Sequence, residues 1–85
     1  MYVIDYQDFN EDFEGDPTFL KNSKGETEKC STKENAHDIM MKDVAFYINS
    51  NSSLGEYSTK IGSDQVSVKF TDHGHGCKWK IREII

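Results

Sequence analysis

Residues 56–84, EYSTKIGSDQVSVKFTDHGHGCKWKIREI, decide the fold because apolar and polar side chains alternate along three runs within them. A period of two is typical of strands that bury one face and expose the other. Stretches 62–64 and 72–76 contain glycine and polar residues and are expected to be turns. We therefore predict a three-stranded antiparallel meander over 56–84. The residues expected on its buried face are Tyr57, Thr59, Ile61, Val66, Val68, Phe70, Cys77, Trp79 and Ile81.

The opposite face of this meander is predicted to be solvated and basic, as an antiparallel sheet allows. Its basic residues are Lys60, Lys69, Lys78, Lys80 and Arg82. Such a face could follow a phosphate backbone, or it could keep the sheet soluble and protect its edges. Trp79 and Phe70 are expected on the core side, where they cannot stack on bases. Because the net charge is also −5, we do not expect direct nucleic-acid binding.

Residues 33–50 carry the strongest helix signal in the chain. One apolar stripe at helical spacing contains Ala36, Met40, Val44, Tyr47 and Ile48, and Ile39 and Phe46 widen it. Ser31 with Glu34, or Asn35 with Asp38, offers a cap. Residues 18–31 read as a polar hairpin with its turn at 22–25, or as a long loop. We predict an α+β fold over 1–85, a single small domain with one main helix packed on a small antiparallel sheet that includes the meander.

The N-terminal segment, residues 1–16, concentrates the negative charge. It holds six of the fifteen acidic residues and none of the ten basic ones, so its formal charge is −6 and that of the other residues is +1. Four aromatic residues recur in it at intervals of four, three and four: Tyr2, Tyr6, Phe9 and Phe13. This spacing favours a short strand over 2–5 followed by a helix over 6–14 that Asp5 caps. The aromatic residues could pack in the core or face a partner.

No catalytic motif is found, and we expect a protein that is not an enzyme and needs no cofactor. His73, His75 and Cys77 are a weak candidate metal site; an exposed glycine-rich turn is the preferred interpretation. The N-terminus lacks the features of a signal peptide, so we expect a cytoplasmic protein with two thiols, Cys30 and Cys77. No apolar stretch approaches the roughly 20 residues of a membrane helix, so no membrane partner is expected.

The acidic segment is the strongest indication of function. Spaced carboxylates can imitate a phosphate backbone and attract a basic surface on a larger nucleic-acid-binding protein. In class, a small acidic domain without catalytic motifs resembles phage anti-defence inhibitors (anti-CRISPR or anti-restriction proteins). The alternatives are an immunity protein of a nuclease toxin, and a small nucleic-acid-binding or regulatory module that uses the basic sheet face. The target and the oligomeric state stay open. The expected partner-binding residues are Asp5, Tyr6, Asp8, Glu11, Asp12, Glu14 and Asp16.

Overall fold

The computed structural model describes residues 1–84 and shows an α+β fold, in which one helix packs against a five-stranded antiparallel sheet. The strand order is β2-β1-β5-β4-β3, so the C-terminal meander β3-β4-β5 forms one side of the sheet. The predicted fold class and meander are therefore confirmed. The elements are β1 (Tyr2–Phe9), β2 (Thr18–Phe19), α1 (Lys33–Ser50), a 3-10 turn (Ser52–Leu54), β3 (Tyr57–Ile61), β4 (Gln65–Phe70) and β5 (His75–Glu83).

The core lies between α1 and the middle of the sheet. The alternation predicted for β4 and β5 is correct, because every residue assigned there to the inner face is buried. The prediction is wrong for β3, where all five residues are exposed, Tyr57, Thr59 and Ile61 included. The helix packs on β1, β4 and β5, while β3 lies at the edge of the sheet. An alternating pattern identifies the apolar face of a strand but not whether another element covers it.

Helix α1 has the predicted extent but a different cap. The hydroxyl oxygen Oγ1 of Thr32 accepts a hydrogen bond from the backbone N–H of Asn35 at 3.1 Å, so neither Ser31 nor Asn35 is the cap residue. Ala36, Met40 and Val44 are buried against the sheet as predicted.

Phe46 does not belong to the apolar stripe of α1. Its side chain is 70% exposed, whereas Val44 is buried. Two residues correspond to a rotation of roughly 200° around a helix, which turns Phe46 away from the side that Val44 buries. The prediction that Phe46 widens the buried stripe is wrong.

The acidic N-terminal segment forms a long strand, so the helix predicted over 6–14 is wrong. Strand β1 runs from Tyr2 to Phe9 and pairs with β5 over its whole length. In a strand Tyr6 and Phe9 lie on opposite faces, whereas a helix would have placed them on one side. The backbone bonds to β5 override the helical spacing of the aromatic residues, and Asp5 lies within the strand rather than at a helix cap.

The segment 18–31 forms its turn and a short hairpin stem, in which Asn22 N–H donates to Glu26 C=O at 2.7 Å and Glu28 N–H donates to Leu20 C=O at 2.8 Å. Strand β2 pairs with β1 and not with the returning chain. Across the turn, the only bridge in the described part of the segment joins Lys21 and Thr27. The Asn22 side-chain oxygen accepts from the N–H groups of Lys24 and Glu26, which closes the turn.

Candidate protein-binding surface

The predicted partner-binding residues do not form one acidic surface. Two of them lie with the sheet face opposite α1, called here the outer face. There the buried carboxylate of Asp5 accepts a hydrogen bond from Nε of Arg82. Glu14 Oε1 lies 2.6 Å from Nζ of Lys78 in an exposed ion pair. Both carboxylates are therefore paired with bases of the same chain; Asp5 is buried in its pair, whereas Glu14 stays exposed.

Residues 10–16 form an exposed loop that carries most of the other acidic residues, namely Glu11, Asp12 and Asp16. Phe13, which the helical spacing had assigned to one stripe with Tyr6, is 64% exposed within this loop. The loop is a short, internally bonded structure that presents carboxylates around an accessible aromatic ring. Its hydrogen bonds run from Gly15 N to Asp8 O (2.8 Å), Asn10 N to Phe13 O (2.7 Å), Asp12 N to Asn10 Oδ1 (2.9 Å) and Gln7 Nε2 to Gly15 O (2.7 Å).

The side chain of Glu11 rests against the turn between β4 and β5. A Cβ atom placed on Gly74 would lie 2.6 Å from Glu11 Oε1, and Gly74 has a positive φ of 66°. The positive φ favours glycine at this turn, and the lack of a Cβ lets the Glu11 side chain approach. This contact places the acidic loop next to the turn that contains His73 and precedes His75, the first residue of β5.

A groove of about 350 Å³ between α1 and the β1 side of the sheet combines aromatic rings with carboxylates. We call it the acid-aromatic groove. Two predicted partner-binding residues, Tyr6 and Asp8, line it. The backbone carbonyl of Asp8 also accepts the bond from Gly15, so the groove and the acidic loop adjoin at this residue. Its lining residues are Tyr6, Asp8, Leu20, Asp43, Phe46, Tyr47, Ser50, Asn51, Cys77 and Trp79.

Asp43 is fixed in the groove by the core tryptophan. The indole Nε1–H of Trp79 donates to Asp43 Oδ2 at 2.8 Å, and the Trp79 side chain is 1% exposed. The ring of Tyr47 meets Trp79 edge to face at 5.4 Å between centroids. One carboxylate oxygen of Asp43 therefore satisfies a buried donor, while the residue as a whole is only half-buried.

The carboxylates make the groove electronegative. Burial, and then the negative charge of Asp8, raise the pKa of Cys77 to about 12. Burial, followed by the charges of Cys77 and Asp8, raises the pKa of Tyr47 to about 12. Within residues 1–84 neither Asp8 nor Asp43 forms an ion pair. The negative charge of the groove is thus not cancelled by the bases of the described chain.

The sequence reasoning did not identify Asp43 or Phe46 as residues of a site. The spacing of Asp43 and Tyr47 was a usable signal, because residues four apart lie on the same side of a helix. Phe46 lies beside this pair, although its spacing predicts a place in the core stripe. An apolar residue such as Phe46 can line a groove or lie in the core, and its residue type does not distinguish the two positions.

The outer face is basic, as predicted, and it also carries two aromatic residues that the prediction missed. Phe9 and Phe19 lie on this face because they stand opposite Gly76 and Asp5 in the sheet. Lys78 Nζ lies 5.3 Å from the centroid of the Phe9 ring. A shallow groove of about 470 Å³ on this face is lined by basic side chains that include Lys60, Lys78, Lys80 and Arg82.

The histidines and the cysteines are not assembled into a metal centre in residues 1–84, where no three His, Cys, Asp or Glu side chains are placed to hold an ion. The rings of His73 and His75 lie 6.2 Å apart, and His75 packs edge-on against Phe70. Cys30 and Cys77 are buried free thiols. Burial raises the pKa of both, so they are protonated at neutral pH and are poor nucleophiles.

In the part of the chain that the structure describes, no helix has the length and apolar character needed to cross a membrane. A comparison of the chain with protein-family models, with curated proteins and with solved structures finds no match.

Proposed function

We propose that this protein is a non-enzymatic inhibitor that binds the basic, nucleic-acid-binding surface of a larger protein. The acid-aromatic groove and the adjoining loop, residues 10–16, are the binding surface. The observation that carries the proposal is the groove itself, in which Asp8 and Asp43 have no ion-pair partner among residues 1–84 and stand among aromatic rings.

The groove has the chemistry to receive arginine or lysine side chains from the partner. A guanidinium group can stack on an aromatic ring and pair with a carboxylate at the same time. Tyr6, Phe46 and Tyr47 offer the rings, and Asp8 and Asp43 offer the carboxylates. Tyrosine, tryptophan and arginine are the residues that most often dominate binding energy at interfaces.

The acidic loop contributes long-range attraction and one apolar contact. Glu11, Asp12 and Asp16 are exposed in the loop that is bonded to Asp8 through Gly15, so they add negative charge to the part of the protein next to Asp8. Such charges speed association with a positive surface more than they strengthen the final complex. The exposed ring of Phe13 supplies contact area that the charges lack.

This mode of binding suits a phage-type anti-defence protein (anti-CRISPR or anti-restriction), and it equally suits an immunity protein of a nuclease toxin. Both classes cover a surface that otherwise binds nucleic acid, and they differ in the target. The compartment proposed is the cytoplasm, where Cys30 and Cys77 stay reduced.

The test is affinity capture with three matched baits, followed by identification of the bound proteins. The baits are the parent, the groove variant Asp8→Asn/Asp43→Asn, and the control variant Asp38→Asn/Glu83→Gln, which removes the same charge at exposed positions outside the groove. We expect the parent and the control to retain a nucleic-acid-binding protein and to displace its nucleic acid, with retention falling as salt rises. Equal retention by the groove variant would exclude the groove as the binding surface.

A second candidate, a nucleic-acid-binding module, is favoured by the outer face. Phe9 and Phe19 lie on the same face as Lys78 and Lys80, and single-strand binders combine stacking rings with basic side chains in this way. Anisotropy of labelled single-stranded DNA and RNA separates the candidates. Binding at submicromolar concentration that Lys69→Gln/Lys80→Gln weakens would establish the second candidate, whereas the inhibitor proposal requires that neither oligonucleotide binds.

A further inference from the structure

Strand β3 is a long, uncovered edge of the sheet. The two edge strands are β2, which has two residues, and β3, which has five. Every residue of β3 is exposed, and Tyr57 (47%) and Ile61 (62%) are large apolar side chains. An edge of this length presents a row of unpaired backbone N–H and C=O groups to another strand.

The hydrogen bonds to β4 show which backbone groups of β3 point outward. Gly62 N–H donates to Gln65 C=O at 2.7 Å, and Thr71 N–H donates to Glu56 C=O at 3.1 Å. Bonded and non-bonded pairs alternate along an antiparallel ladder, so the residues of β3 between these two that bond to β4 are the even-numbered ones. The odd-numbered residues, Tyr57, Thr59 and Ile61, direct their N–H and C=O groups away from β4.

We propose that two copies of this chain pair antiparallel through β3, with a two-fold axis at Thr59. In this register Thr59 stands opposite the partner's Thr59, and Tyr57 opposite the partner's Ile61. It is the one symmetric register in which all three outward-pointing residues of β3 face each other and exchange hydrogen bonds in pairs. The product is a continuous sheet across the two copies.

The side chains agree with this register on both faces of the sheet. On the inner face, Tyr57 meets the partner's Ile61, which covers the two apolar side chains that α1 leaves exposed. On the outer face, Lys60 stands opposite the partner's Ser58 and diagonal to the partner's Glu56, within reach of a long side chain. The other diagonal neighbour of Lys60 is the partner's Lys60, so the two lysines leave room for each other only by pairing with Glu56, and no two like charges stand directly opposite each other.

The proposal does not depend on the inhibitor function. The acid-aromatic groove lies with β1 and α1, and β1 is separated from β3 by β5 and β4. Pairing through β3 therefore leaves both grooves of the dimer accessible.

The first test measures molar mass by light scattering during size-exclusion chromatography, from low micromolar to submillimolar concentration. We expect a mass that rises to twice the 9.8 kDa of one chain. Thr59→Pro removes an outward N–H without touching the bonds to β4, as an edge strand tolerates, and is expected to stay at the single-chain mass. Thr59→Val keeps the N–H and is expected to dimerise like the parent.

The second test gives an answer even if the proline variant does not fold. In a hydrogen-bonded antiparallel pair the Cα atoms lie about 5.5 Å apart, which a disulfide can span. Mild oxidation should therefore cross-link Thr59→Cys, whereas Ser58→Cys should not cross-link because Ser58 does not stand opposite itself. The proposal is overturned by a parent that keeps the single-chain mass throughout, by a folded Thr59→Pro that dimerises, or by equal cross-linking of the two cysteine variants.

Discussion

The bond between Trp79 and Asp43 lets the structural role of the groove carboxylate be separated from its binding role. We predict that Asp43→Ala destabilises the fold and that Asp43→Asn largely does not, although both remove the charge. The amide oxygen of asparagine can still accept the indole N–H, which lies 2.8 Å from Asp43 Oδ2. Alanine leaves that donor without a partner.

The expected size of the effect follows from the burial of Trp79. Its side chain is 1% exposed, so water cannot replace the lost acceptor without entering the core. An orphaned buried donor costs about 1–3 kcal/mol. For a domain of this size, a loss of about 2 kcal/mol lowers the melting temperature by roughly 8–16 °C. Retention of the acceptor should keep Asp43→Asn within about 1 kcal/mol of the parent.

Urea unfolding followed by tryptophan fluorescence measures both variants directly, because Trp79 is the single tryptophan of the chain. Partner capture is then compared for the same two proteins, and both should show weaker capture than the parent because both lack the Asp43 charge while Asp8 remains. An Asp43→Ala variant as stable as the parent, or an Asp43→Asn variant as unstable as Asp43→Ala, would refute the reasoning about the bond. A stable Asp43→Asn variant that captures the partner as well as the parent does would refute the role of the Asp43 charge.

Three further predictions concern the fold. Thr32→Ala removes the helix cap and should cost about 1 kcal/mol in thermal unfolding followed by circular dichroism; an unchanged melting curve would contradict the cap assignment. Gly76→Ala places a Cβ 1.8 Å from the backbone oxygen of Val68, so β4 and β5 cannot keep their pairing, and the amide NMR spectrum should lose its native dispersion. Burial raises the pKa of Cys77 from 9.0 to about 12 in the folded protein, so between these two pH values the thiol ionises only in the unfolded chain. The free energy of unfolding is therefore unaffected by this group below pH 9 and falls by about 1.4 kcal/mol per pH unit as the pH rises toward 12. Tyr47 adds to this loss above pH 10, its ordinary pKa. The urea midpoint of the parent should therefore fall between pH 9 and 11, and that of Cys77→Ala should fall less steeply. An equally steep fall in the two proteins would contradict the raised pKa of the Cys77 thiol.

The sequence alone predicts the elements whose residue spacing is regular within one segment and whose neighbouring elements are close in the chain. The alternation in β4 and β5 and the stripe on α1 correctly identified most of the core, including Trp79, Phe70 and Met40. Burial of one face imposes a regular spacing on a strand or a helix, and that spacing is legible without any knowledge of the partner. The acidic character of residues 1–16 likewise follows from the amino-acid composition of that segment alone.

Only the tertiary structure decided what those acidic residues face. Asp5 and Glu14 are neutralised by Arg82 and Lys78, which lie 77 and 64 residues away in the chain. Asp43, on α1, joins Asp8 in the groove only because α1 packs across β1 and β5. Such pairs depend on which strands become neighbours, and no spacing within a single segment encodes that.

The same reason explains why β1 is a strand and why β3 is exposed. The aromatic spacing in 2–13 suits a helix locally, but pairing along the whole of β1 with β5 outweighs it. In β3 the alternating pattern correctly predicts a strand, but its apolar residues are exposed. The reason is that the helix packs on β1, β4 and β5 and does not cover the edge where β3 lies. Local spacing determines which side of an element is apolar, and the arrangement of the other elements determines whether that side is covered.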